Sequence, residues 1–309
     1  MYIFNLIVPL FLIIVLGYVL KKSNVINGEF GSTLNRYVYY VALPVILFSK
    51  TSSAKLDFSS SLIFGYLATM VVVTIFSLLL SKFFKKDERG ALVQGSFRSN
   101  LTYLGLPIVF YAFGDEAIGY AAIIMAVMII FHNLITIAVF RYMDSQRGDK
   151  GWIRGIGSTL MDPLIISLVL GMLFSFGEIH MPVFLTNTID LIAQMSLPSI
   201  LLIIGVSLSF TDIRKYFLKD AVAGGLKLVV MPLVAYNIMH LFFNAPPLIT
   251  MVIVLMAAMP TAVVSVTFVK EFRGDYRFAG SIVSFNTVLS MITIPIVLYM
   301  LGGSNLSIY

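Results

Sequence analysis

Cysteine is absent from this chain, which excludes disulfides, thiol nucleophiles and cysteine-ligated metals. Charge is scarce. Asp, Glu, Lys and Arg make up 12% of the 309 residues, against 59% hydrophobic ones. A soluble domain carries about 25% charged and roughly 45–50% apolar residues. So little charge cannot cover the surface of a soluble protein this size, and no polar stretch is long enough for a soluble domain. A Gly-rich phosphate loop, a metal-ligand cluster and a Ser–His–Asp arrangement are also missing. No cofactor, metal or enzymatic activity is therefore expected.

What is present is a series of ten apolar segments, each near the roughly 20 residues a bilayer needs. They run approximately 2–20, 31–49, 59–81, 91–112, 117–140, 156–177, 188–210, 221–242, 248–269 and 279–301. The fold class read from them is an all-α polytopic membrane protein. The first segment has no basic region before it, and Tyr18-Val19-Leu20-Lys21-Lys22 is no small-residue cleavage site, so it reads as a retained span.

The net charge of +6 is explained by where the basic residues fall, without a nucleic-acid partner. Connections after odd spans hold Lys21, Lys22, Lys82, Lys85, Lys86, Arg89, Arg141, Arg147, Lys150, Arg154, Arg214, Lys215, Lys219, Lys270, Arg273 and Arg277. Those after even spans hold only Lys50 and Lys55. The positive-inside rule then places the basic loops in the cytoplasm and both termini outside, in a plasma (inner) membrane.

Ten spans divide into five and five, and an odd number per half inverts the second half. Residues 1–141 and 156–309 are the expected inverted repeats, joined by a cytoplasmic linker at 142–155. Leu43-Pro44 recurs as Leu197-Pro198, and Gly114-Asp115 as Gly274-Asp275, at matching places in the halves.

Each half also carries an interrupted apolar segment. One is Ser96-Phe97-Arg98-Ser99-Asn100-Leu101-Thr102-Tyr103-Leu104-Gly105-Leu106-Pro107; the other is Met256-Ala257-Ala258-Met259-Pro260-Thr261-Ala262-Val263-Val264-Ser265. A broken helix frees backbone groups that must find partners inside a membrane, and such breaks line protected cavities. A pair of them points to a transport site near the bilayer midplane. Half-helix ends and neutral donors suit a small organic anion. The candidate binding residues are Arg98, Asn100, Thr102, Tyr103, Pro107, Pro260, Thr261 and Ser265. Asn286 and Ser290, one turn apart in the last span, are candidates to face the same cavity.

Three basic residues lie within spans. Arg36 and Lys227 read as snorkelling to the cytoplasmic interface. Arg98 reads either as snorkelling or as attracting an anionic substrate. Asp162 and Asp190 sit near span ends, where capping explains them, and no carboxylate falls at mid-span. His132, followed by Asn133, is a candidate for proton coupling, with a packing role as the alternative.

Leu34-Asn35-Arg36-Tyr37-Val38-Tyr39-Tyr40-Val41-Ala42-Leu43-Pro44 resembles the second span of the auxin efflux carrier family, whose bacterial members include candidate malate and malonate permeases. Asn100 through Pro107 resembles that family's Asn-x-x-x-x-Gly-x-Pro segment. Met259-Pro260-Thr261-Ala262 and Ser290-Met291-Ile292-Thr293-Ile294-Pro295 resemble its ninth and tenth spans. The resemblance implies a fold related to bile-acid symporters and sodium/proton antiporters. In it spans 4 and 9 cross at their breaks and the substrate carboxylate binds there. Helices 1, 2, 6 and 7 would form a dimerising scaffold, and helices 3–5 and 8–10 an elevator-type transport domain. By position, Asn100 and Pro107 mark one side of the crossover, and Pro260 with Thr261 the other. The short linker resembles the bacterial version and favours a small metabolic carboxylate over auxin. A sodium-coupled symporter and a non-transporting receptor are the competing readings.

Overall fold

A computed structural model describes residues 2–53, 59–143, 161–179 and 181–302. Most of the expected linker, from residue 144, and the expected start of the second half lie outside these residues. The described residues are mostly helical, without a β-strand.

The helices are α1 (Tyr2–Lys22), α2 (Gly28–Tyr37), α3 (Leu43–Ser53), α4 (Ser60–Ser81), α5 (Arg89–Phe97) and α6 (Leu106–Met143). There follow α7 (Pro163–Phe176), α8 (Val183–Ser207), α9 (Ile213–Gly225), α10 (Met231–Ile238), α11 (Pro247–Ala257), α12 (Val264–Glu271) and α13 (Tyr276–Gly302). Among the described residues, five stretches are long and apolar enough to cross a membrane: Ser60–Ser81, Glu116–Met143, Val183–Ser207, Ile213–Phe243 and Tyr276–Gly302. Shorter apolar helices accompany them.

Proline explains much of the irregularity. Wide π turns occupy Val38–Ala42, Leu101–Gly105, Leu226–Val230 and Met239–Phe243. The first three stand immediately before a residue–proline pair: Leu43-Pro44, Leu106-Pro107 and Met231-Pro232. Proline brings no N–H, and its ring collides with the carbonyl four residues back. One extra residue in the preceding turn relieves that collision while the helix continues. α2 and α3 thus join through one π turn, and α9 and α10 through another. Within α6, Gly114 has φ 77° and ψ −166°, a backbone conformation reserved for glycine. The chain turns a corner there on a single residue.

Two packing groups result. α1 lies along α8, and α3 along α7 and α8. A Cβ at Gly205 would fall on the Ile14 carbonyl, and one at Gly17 on the Leu202 carbonyl, so the α1–α8 backbones touch. The other group gathers α4 with α5 and α10, α6 with α11, and α9 with α13. One large apolar core spans both groups. A second, smaller core joins Leu92, Phe140, Tyr216, Val269 and Phe278. Its polar rim ties Lys219 to Glu88 at 2.5 Å, the Tyr216 hydroxyl to Asp275 at 2.7 Å, and the Asp275 N–H to the Asp87 carbonyl at 2.8 Å. Outward faces are apolar: Leu12, Phe64, Ile75 and Leu173 are all exposed. Lipid accommodates such a surface, whereas water would not.

Candidate functional site

The two interrupted segments meet. α5 ends at Phe97 and the chain resumes helix at Leu101; α11 ends at Ala257 and α12 starts at Val264. Between these ends the two backbone segments run antiparallel, with Ser99 bridged to Thr261. The Asn100 N–H donates to the Pro260 carbonyl at 2.8 Å, and the Ala262 N–H to the Arg98 carbonyl at 3.0 Å. Each break therefore supplies partners for the other, as a buried backbone requires.

Side chains satisfy the carbonyls freed at the two helix ends. Thr261 Oγ1 donates to the Gly95 carbonyl at 2.5 Å and accepts from Asn286 Nδ2 at 2.8 Å. Lys227 Nζ donates to the Ala257 carbonyl at 2.6 Å and to Ser99 Oγ at 2.8 Å, with the Met231 sulfur at 3.1 Å. An N–H donor at a helix C-terminus satisfies a carbonyl that the helix itself leaves free. Lys227 is fully buried, so the expectation that it snorkels is wrong. The helix begins at Ile213, earlier than the apolar segment suggested, and places Lys227 about 21 Å along its axis at 1.5 Å per residue. That is beyond the reach of a lysine stem to the interface. The same early start puts Asp220 inside the helix, fully buried, with Oδ2 accepting from Ser281 Oγ at 2.5 Å. Asp162 does cap α7, accepting from the Leu164 N–H at 2.9 Å. Asp190 instead lies exposed within α8.

Beside the crossing lies a cavity of about 350 Å³. Of the candidate residues it gathers Arg98, Asn100, Thr102, Tyr103 and His132. Arg98 is 6% exposed. Its guanidinium donates to Asn133 Oδ1 at 2.8 Å and Thr136 Oγ1 at 3.1 Å, both neutral, and lies over the Phe268 ring at 4.6 Å. Of the two readings of Arg98, its geometry departs from snorkelling. Asn100 Oδ1 accepts from the Tyr103 N–H at 3.2 Å and starts the resumed helix. Thr102 Oγ1 faces the Met125 sulfur at 3.3 Å. The Tyr103 hydroxyl donates to Asn35 Oδ1 at 2.9 Å. His132 lies between the rings of Phe97 and Tyr66, its Nε2 buried without a partner.

Pro107, Pro260, Thr261, Ser265, Asn286 and Ser290 do not line this cavity. Pro260 and Thr261 belong to the crossing itself. Ser265 is buried with Oγ unpartnered, Asn286 is buried behind Thr261, and Ser290 Oγ donates to its own helix at Thr287. Sequence reasoning missed Tyr39, Ser99, Asp162 and Phe268 as cavity residues. The Tyr39 hydroxyl donates to Asp162 Oδ2 at 2.5 Å, across 123 residues of chain. Only Asp162 carried a signal, as a lone carboxylate at a span end.

The family described as membrane transport protein matches the chain over residues 2–150 and 155–298. An uncharacterized transporter of Methanothermobacter thermautotrophicus is 26% identical over 92% of this chain and 93% of its own length. An uncharacterized transporter of Methanocaldococcus jannaschii is 25% identical over 92% and 94%. A Rhizobium meliloti protein named, as a candidate, for malonate transport is 24% identical over 98% and 97%.

Proposed function

Because the chain belongs to the membrane transport protein family, the auxin efflux carriers that its motifs resemble, we propose that this multi-pass transporter is a carrier of small organic anions. The observation that carries this reading is Arg98: a buried guanidinium without a carboxylate partner among the described residues, at the crossing of two broken helices and facing a polar cavity. Such a charge is costly to bury and is retained where an anion completes it. The Rhizobium relative, named as a candidate for malonate transport, favours a small carboxylate as the cargo.

Alternating access follows the elevator scheme in this reading. Ten spans in two inverted repeats, 1–141 and 156–309, cross at Arg98–Asn100 and Pro260–Thr261. The scaffold comprises α1, α2–α3, α7 and α8, and dimerises; the remaining helices move. Two observations support that division: the close backbone packing of α1 on α8, and the polar bonds of the crossing, which run among α5, α6, the π turn before α10, α11 and α13. Both termini are extracytoplasmic, and the basic loops face the cytoplasm of the cell that carries this protein in its plasma membrane. Sodium coupling is disfavoured, since Lys227 Nζ already holds the freed Ala257 carbonyl.

Counterflow in proteoliposomes with labelled malate, malonate, lactate and an indole carboxylate tests the reading. Saturable, sodium-independent exchange of one of them is expected. Arg98→Gln is expected to slow that exchange at least about tenfold, the loss of one charge-assisted contact. Unaltered exchange by folded R98Q protein, or no exchange of any anion by the wild type, overturns it.

A further inference from the structure

We propose that the cavity beside the crossing takes a monocarboxylate bearing a hydrogen-bond donor at its far end, a hydroxyl or an ammonium, and that Asp162 turns dianions away. The proposal rests on the reading of this cavity as the transport site. It narrows the substrate class by charge.

Two ionic side chains of opposite sign line the same cavity of about 350 Å³. Neither is bonded to an opposite charge among the described residues. Arg98 spends its observed bonds on Asn133 and Thr136. Asp162 accepts one bond per oxygen, from the Leu164 N–H and the Tyr39 hydroxyl. A carboxylate offers about four acceptor sites, so each oxygen retains one for a further donor. The cavity's remaining polar lining, Tyr39, Ser99, Asn100, Thr102, Tyr103, His132 and Asn133, holds no second fixed cation, and Lys227, behind Ser99, is spent on the Ala257 carbonyl and does not line the cavity. One negative charge therefore balances Arg98, and a second has no fixed cation to meet within the lining. In a volume this small a ligand anchored at Arg98 brings its far end toward Asp162. A carboxylate at about 6 Å from another, at an effective dielectric near 20, loses roughly a hundredfold in affinity. A hydroxyl or ammonium there gains a charge-assisted bond instead.

Four matched acids separate the cases: 3-hydroxypropionate with a terminal hydroxyl, β-alanine with a terminal ammonium, propionate with no donor, and malonate with a second carboxylate. Counterflow of each is measured for the wild type and for Asp162→Asn. Asparagine caps a helix as well as aspartate does, so the variant keeps α7 intact. 3-Hydroxypropionate or β-alanine is expected to exchange at least tenfold faster than malonate and to outrun propionate. In D162N the ratio of malonate to the preferred acid rises at least tenfold. Thermal stabilisation of the detergent-solubilised protein by each acid gives the same ranking without flux. Wild-type protein that prefers malonate, or a D162N ratio equal to the wild type's, overturns the proposal and leaves the anion carrier standing. Absence of exchange and of stabilisation for all four acids removes both.

Discussion

The α1–α8 contact and the helix crossing are both tightly packed, but by opposite means. Along α1 and α8 the backbones touch at Gly17 and Gly205, and the neighbouring side chains, Ile7, Leu10, Ile14, Leu201 and Ile204, are buried and apolar. At the crossing the buried residues are Arg98, Ser99, Asn100, Lys227, Thr261 and Asn286, each bonded to a neighbour. In hydrocarbon, apolar side chains gain nothing by leaving lipid, so helices associate through close small-residue packing or through polar bonds. The first means makes a contact that depends on shape alone. The second makes one that depends on every donor finding its acceptor. The molecule places the shape-dependent contact away from the cavity and the bond-dependent one beside it.

Substitutions sharpen this contrast. Gly205→Ala should have the largest effect: its Cβ lands on the Ile14 carbonyl, and prising α1 from α8 costs about 3 kcal/mol or more. Thermal unfolding of the purified protein reads this, and an unshifted midpoint would show that the two helices do not depend on contact. Thr261→Val keeps the shape but removes the donor to the Gly95 carbonyl and the acceptor for Asn286. Leaving buried groups unsatisfied costs about 1–3 kcal/mol each, so a loss of roughly 2 kcal/mol with slowed counterflow is expected. Stability equal to the wild type would mean the crossing does not rely on this bond. Asn100→Ala removes the side-chain cap of the resumed helix at a cost of about 1 kcal/mol, again with slowed transport. Ser196→Ala probes the single side-chain bond observed from α8 to the π turn before Pro44, where Ser196 Oγ donates to the Ala42 carbonyl at 2.9 Å. Its second bond, to the Ile192 carbonyl, is local. A loss below about 1 kcal/mol is expected, with counterflow unchanged. A larger loss than for T261V would invert the contrast.

Much of the helical pattern was legible because it follows from composition. The interruptions at Asn100 and Pro260 were readable from proline and polar residues set in apolar runs. The places of Lys227 and Asp220 were not. Lys215 and Lys219 ended the apolar window at 221, whereas the helix runs back to Ile213 with Lys219 paired to Glu88. Charges at a helix end obscure where the helix starts, and depth decides whether a lysine snorkels or turns inward. The make-up of the cavity was only half legible for a different reason. Arg98 meets Thr136 and Asn133, and Tyr39 meets Asp162, through packing of helices remote in sequence. Local periodicity carries no information about such partners. Asp162 was correctly seen as a helix cap, and that local role concealed its second one, since a single carboxylate oxygen satisfies the cap.

The corner at Gly114 sets a fixed length. With one residue joining the two arms of α6, no slack separates Arg98 and the resumed helix on one side from Asn133 and Thr136 on the other. Each residue added to or removed from an arm turns everything beyond it by roughly 100°. The segment from Arg98 to Asn133 therefore acts as a ruler, closed on itself where the Arg98 guanidinium bonds Asn133. Relatives that keep those bonds should keep this spacing to the residue, while their connections elsewhere are free to drift in length.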